Sequence, residues 1–384
     1  MAKIGTPGGL HQRLLTLASS TLLLCCALSF GAPLSAAEAT HAESLQQQRA
    51  RFTDAREALQ QGDDERFEQI ASTLQEYPLY PYLRYWYLRE HLQEQQGETV
   101  RAFLERHQDT PLTAPLRSAW LRELAASERW QEYLEFYRGS RSAELRCYAH
   151  RAELAQGKRS AAWSGAQQLW LVGASQHQAC DPLFTAWEEA GGLNDALRWQ
   201  RIELAMDHGN TGLAKFLAKT LPEQEQRWTS LWIRVHDKPQ LIAEEALLQE
   251  DNEHSRTIAL HGMQRLASSD PEAATELWPA ISLRHSFTQQ ERHSVAHAIA
   301  LSLALKGNVR ALEWYAALPP ESFNKSRRGW AVRAALRHQR WLAAATWIES
   351  MPPAERNSEM WSYWLARAYE GLGKQAVSYT HLRA

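Results

Sequence analysis

Apolar residues in this chain recur at steps of three and four rather than two. Leu45, Phe52, Ala55 and Leu59 fall on one helical face, and Gly62 stands where a helix C-terminus is expected. Phe67, Ile70 and Leu74 renew the pattern until Pro78 ends it, because proline has no N–H to give the helical ladder. The same rhythm runs through Trp120-Leu121-Leu124, Leu134-Phe136-Tyr137 and Leu193-Leu197-Trp199, with no sustained alternation that would specify a strand. The pattern predicts an all-α protein of short helices joined by short turns.

Towards the C-terminal end the pattern repeats. A shift of 33 residues brings Trp314 onto Trp347, Pro319-Pro320 onto Pro352-Pro353 and Ala335 onto Ala368. That period belongs to paired-helix repeats. One pair cannot bury its own apolar face, so such pairs stack into a solenoid whose concave side is open to a partner. Leu221-Pro222 before Trp228 is a looser echo. The expectation is one superhelical solenoid over residues 38–375. Residues 376–384, with Val377-Ser378-Tyr379-Thr380-His381, complete no further apolar face and are expected to be a non-matching tail at a truncation.

The beginning of the chain obeys another logic. Lys3, His11 and Arg13 precede an apolar run from Leu14 to Phe30, and Ser35-Ala36-Ala37 supplies small residues for a peptidase. Residues 1–37 therefore read as a secretory signal peptide, which puts the mature chain in the periplasm. A retained membrane anchor is not expected, because Ser19, Ser20 and Thr21 interrupt the run. Cys25 and Cys26 would leave with the leader, since Leu24 is too large to stand before a lipoprotein cysteine. That leaves Cys147 and Cys180, which in an oxidising compartment favour a disulfide over free buried thiols. The loop it closes would be worth roughly 3 to 4 kcal/mol.

Composition narrows the function mainly by exclusion. The formal charge is −2, becoming about −4 without Lys3 and Arg13, so the basic field that nucleic acid needs is missing. The 16 Trp are many, and indoles serve helix packing more often than sugar stacking. Metalloprotease, serine hydrolase, nucleotide-binding and zinc-ribbon motifs are all absent, so no cofactor, no metal and no catalytic residue are assigned. Gly371-Leu372-Gly373-Lys374 lacks both the preceding strand and the hydroxyl residue of a phosphate loop, and reads as a helix-ending turn.

Three segments invite a functional reading. Pro320-Glu321-Ser322-Phe323 holds an acid beside a serine, but it falls in an inter-helix turn and reads as one. Arg333, Arg337 and Arg340 lie at i, i+4 and i+7, behind Arg327 and Arg328, with Trp330, Ala334 and Ala335 marking the opposite face. Such a stripe suits the carboxylates of a peptide-bearing polymer and is the candidate glycan contact, with a solvated face as the plainer alternative. The aromatic run Tyr77 to Leu88 suits either sugar stacking or helix packing.

Several segments in order resemble one family. They are Tyr77 to Arg89, His107 through Asp109-Thr110-Pro111-Leu112 to Trp120-Leu121, Trp130 to Tyr137, Leu145-Arg146-Cys147-Tyr148, Leu169-Trp170-Leu171, and Ala179-Cys180-Asp181-Pro182-Leu183-Phe184. Together they are similar to the N-terminal region of large soluble lytic murein transglycosylases, up to about Trp361-Tyr363-Trp364-Ala366-Arg367-Ala368. The resemblance implies a U-shaped superhelical domain, peptidoglycan glycan strands as partner, and a separate lysozyme-like domain whose single Glu cleaves the β-1,4 bond between N-acetylmuramic acid and N-acetylglucosamine. That Glu acts first as acid and then as base, giving a 1,6-anhydro product. Its motif has no counterpart in this chain, so the lysozyme-like domain is expected to be absent and the chain inactive alone. The alternative is a periplasmic helical-repeat scaffold that binds proteins.

Overall fold

The computed structural model describes residues 34–374, which divide into two compact units, one ending at Leu116 and the other beginning at Arg117. Every regular element among the described residues is helical. The expected tail falls outside them, as does the expected leader apart from Leu34 to Ala37, which form the first turn of the first helix.

In the first unit the helix Leu34–Gln60 turns at Gly62, and the Asp63 side chain accepts from the Arg66 amide to open the helix Asp64–Ala71. That capping bond satisfies one of the donors every helix start leaves free. Ala55 and Ala58 bring the two helices close, and Leu59, Phe67 and Leu74 fill the space between them. The helix Tyr80–Glu90 adds Leu83 to the same core. Its Tyr87 ring stacks on Phe67 at 5.1 Å, with the Arg84 guanidinium 5.0 Å over Tyr87.

The second unit is built of helix-turn-helix pairs. Ala143–Ala155 packs on Arg159–Trp170, Asp195–Asp207 on Thr211–Ala218, Gln289–Lys306 on Ala311–Ala316, and Lys325–Arg337 on Trp341–Glu349. Pairs also pack on their neighbours: Glu253–Ser269 touches Gln289–Lys306, which touches Lys325–Arg337, while Trp341–Glu349 touches Glu359–Gly371. Such nearest-neighbour stacking is what defines a solenoid. One apolar core runs from Cys147 to Ala334, and a further one gathers Val332, Ala345, Ile348, Trp361 and Leu365.

A single turn design recurs. A left-handed residue follows the helix, and the next amide reaches back five residues, as in Lys158 to the Glu153 carbonyl, Asn210 to Ala205, Asn308 to Leu303 and Arg340 to Ala335. This satisfies carbonyls that the helix end leaves open.

The 33-residue period is physical. The 3-10 turn at Pro320 and the short helix at Pro353 stand 33 residues apart, and the helices Lys325–Arg337 and Glu359–Gly371 that follow them 34 apart. Ala335 and Ala368 are both fully buried. One expectation needs correcting: in Trp130–Phe136 the structure buries Tyr133 rather than Leu134, because the Tyr133 hydroxyl donates to the Leu145 carbonyl at 2.7 Å and so can leave water.

Candidate functional site

The three arginines of the expected stripe take three different positions. Arg333 is exposed on Lys325–Arg337, its guanidinium 5.4 Å over both Trp330 and Trp361. Arg337, one turn on, lays its guanidinium against Gly307 in the turn of the preceding pair. Arg340 is not on that helical face, because the helix stops at Arg337 and the turn through Gln339 intervenes. Its amide closes the turn, while its side chain rims a hollow with Trp341, Leu342 and Trp347. None of the three forms an ion pair among the described residues, so all three charges face outward. The two arginines before them are otherwise engaged: Arg327 donates to the Ser322 carbonyl at 2.9 Å, and Arg328 to the Phe323 carbonyl at 2.8 Å and to Glu355 at 2.7 Å.

The acidic turn holds no catalytic arrangement. Glu321 is exposed, and Ser322 presents its carbonyl and hydroxyl to His297 Nε2 at 3.1 and 3.2 Å. The aromatic run is mostly packing. Tyr77 and Tyr85 are buried, and Trp86 lies 5.9 Å from Phe52 under the Arg56 guanidinium, 5.2 Å from its ring. Among the described residues every tryptophan is buried or half-buried. Cys147 and Cys180 are joined by a disulfide, with Cα atoms 4.9 Å apart, tying Ala143–Ala155 to the 3-10 turn Gln178–Cys180.

A polar cleft was not legible in the sequence. His208, His236 and His261 come together with Asp207, Asp237, Gln264 and Arg265 around a volume of about 660 Å³. These histidines lie on three separate helices or helix ends, at spacings that match no ligand motif. His236 Nδ1 stands 3.0 Å from His261 Nε2, so one ring donates to the other. Burial, then His236 and Arg265, hold the His261 imidazole down to about 4, while burial and Arg265 lower His236. Both rings are therefore neutral near pH 7. Neutral imidazoles, an amide and a guanidinium make a lining of donors and acceptors that suits hydroxyl-rich ligands. No group of side chains able to hold a metal ion occurs among the described residues.

No family model matches the chain. Curated soluble lytic murein transglycosylases do match it, among them the following two. That of Escherichia coli strain K12 is 29% identical over 347 residues, covering 89% of this chain and 54% of its own length. That of Salmonella typhimurium strain LT2 is 29% identical over 345 residues, with the same shares. Among solved structures, an inactive mutant of the lytic transglycosylase Slt of Pseudomonas aeruginosa superposes with a TM-score of 0.75 at 30% identity, over 86% of this chain and 54% of that one. The chain is similar to the soluble lytic murein transglycosylases along most of its own length. The crystal structure of the 70-kDa soluble lytic transglycosylase of Escherichia coli extends the agreement, with a TM-score of 0.74 at 28% identity over 88% of this chain and 55% of that one. This chain spans about half the length of the transglycosylases it matches, and its helical pairs share their all-α superhelical fold.

Proposed function

We propose that this chain serves as the strand-holding part of a periplasmic peptidoglycan lytic transglycosylase. The single observation that carries the reading is the similarity to those enzymes across nearly nine-tenths of this chain but only about half of theirs. Within that half, Glu321 lies in an exposed turn. On this reading, cleavage of the bond between N-acetylmuramic acid and N-acetylglucosamine to a 1,6-anhydro product is assigned to the other half of such an enzyme. Residues 1–37 act as the export signal, residues 38–375 as the holding unit, and residues 376–384 as a tail outside the repeat pattern. The outward charges of Arg333, Arg337 and Arg340 pair with carboxylates on peptides attached to the glycan, and the histidine cleft receives sugar hydroxyls.

The test is a pull-down of the mature chain on insoluble sacculi, run beside a digestion followed by mass spectrometry. Binding without release of anhydromuropeptides is the expected result. Release of anhydro products would return attention to Glu321, and absence of binding would favour a protein-binding scaffold.

A further inference from the structure

Two arginines three residues apart on the helix Asp195–Asp207 have opposite fates. Arg198 is buried and paired, with Asp195 at 3.2 Å and Glu188 also in contact. Arg201 is buried more deeply, at 4% exposure, and has no carboxylate partner among the described residues. Its one hydrogen bond runs from Nη2 to the Ala174 carbonyl at 3.3 Å, and its Nε finds no acceptor. The guanidinium rests 4.2 Å from the Trp170 ring centroid and 5.9 Å from that of Phe184. Burial alone draws this arginine down to about 10, with no neighbouring charge contributing.

An unpaired cation is costly to bury, and cation–π contacts recover only part of that cost. Arg201 lines a pocket of about 420 Å³. Phe184 and Phe216 give it an apolar wall, and Phe216 is 65% exposed, with the Lys219 ammonium 5.8 Å from its ring centroid. Gln176, Asp181 and Asn210 bring polar groups to the same space, acceptors for N–H groups among them.

We propose that this pocket binds a carboxylate-bearing, peptide-like ligand, its anion pairing with Arg201 and its apolar part lying on Phe184 and Phe216. A carboxylate would complete the hydrogen bonding that the guanidinium lacks, in surroundings where charge-assisted bonds are strong. The ligand class is read from the pocket itself, so its failure would leave the glycan-holding reading standing.

Calorimetric titration of the whole chain with muramyl dipeptide, with its carboxamide, and with chitotriose separates carboxylate from sugar. The acid is expected to bind about tenfold or more tightly than the amide, with chitotriose contributing nothing at this site. Arg201→Met should abolish that preference while raising Tm, because it removes an unpaired buried cation; a purely structural arginine would lower Tm and leave the preference intact. Gly212→Phe gives an independent check. Gly212 is exposed in the first turn of Thr211–Ala218, lines the pocket, and a Cβ there meets only Asn210 Oδ1, at 4.0 Å. It should block the mouth and remove binding of the acid without loss of Tm. Equal binding of acid and amide, no binding at millimolar concentration, or full affinity in either variant would overturn the proposal.

Discussion

The pairs between Ala311 and Gly371 and the stretch between Trp170 and Ala218 are built from the same helices, yet they treat their polar groups differently. In the first, one design is used twice, and its half-buried Arg328 meets Glu355 at 2.7 Å. In the second the chain leaves the repeat for the loop Leu171 to His177, a 3-10 turn, a disulfide, and Arg201 buried without a counter-charge. In the repeat, Arg328 Nε and Glu355 Oε1 also find no hydrogen-bond partner, but the cation there has its counter-charge, which Arg201 lacks. Where a chain departs from its own pattern and carries an unsatisfied group, the departure points to a ligand or a staple.

The staple gives the largest expected effect. Cys147→Ser with Cys180→Ser, or reduction of the bond, should lower unfolding free energy by roughly 3 to 4 kcal/mol, because the open chain regains the entropy of a loop closed by residues 33 apart. Both sulfurs are fully buried, so the double serine variant also leaves polar groups in an apolar site. Guanidinium titration with and without reductant measures the effect. A loss under about 1 kcal/mol would mean that packing around Leu183 and Trp187 holds this stretch without the bond.

Glu355→Ala creates in the regular repeat the defect that Arg201 already represents in the irregular stretch. The Glu355 carboxylate is 9% exposed and Arg328 18%, so removing the acid strands a largely desolvated cation. The expected cost is about 3 kcal/mol, read from the shift in denaturation midpoint. A cost near zero would show that an unpaired arginine is tolerated anywhere in the solenoid, and the contrast with Arg201 would lose its meaning.

The regular region was the more legible of the two. Its 33-residue period, its paired prolines and the burial of Ala335 and Ala368 all follow from apolar spacing, a local property of sequence. The stripe was legible only as far as its helix: Arg333 and Arg337 share a face, but the end of the helix at Arg337 carries Arg340 into the turn. The histidine cleft and the Arg201 pocket were hidden for a different reason. Their members come from separate helices, so no spacing rule links His208 to His236 and His261, or Arg201 to Trp170 and Phe216. Tyr133 was missed because a buried hydroxyl depends on one distant carbonyl, at Leu145.

His297 tests how firmly the regular region closes its turns. It is 4% exposed, and burial, then Arg327, hold its imidazole down to about 4, against the Ser322 carbonyl that favours the proton. An unfolded histidine protonates near 6.5. Between those values the unfolded chain binds more protons than the folded one, so stability falls as the pH is lowered through that window and recovers above it. The slope contributed by this residue is at most about 1.4 kcal/mol per pH unit. His297→Gln should flatten that part of the stability profile, measured by thermal denaturation from pH 7 to 5; an unchanged slope would assign the sensitivity to His261, whose imidazole is also lowered to about 4.

The smallest effect asks whether successive turns of the solenoid are interchangeable. Gly307 ends Gln289–Lys306 at φ 72°, and Gln339 occupies the same place after Lys325–Arg337 at φ 53°. In both, the following amide reaches back five residues, from Asn308 to Leu303 and from Arg340 to Ala335. A side chain in this left-handed region is strained, so Gln339→Gly should stabilise the chain by about 0.5–1 kcal/mol, the strain relieved being partly offset by the greater freedom of glycine when unfolded. The reverse change, Gly307→Gln, should cost more than that gain, because a Cβ there would come within 2.5 Å of the Arg337 guanidinium carbon. Equal and opposite shifts in Tm would mean that Arg337 swings aside freely and is available to a polymer; a larger loss at Gly307 would mean that this arginine is held against the preceding pair.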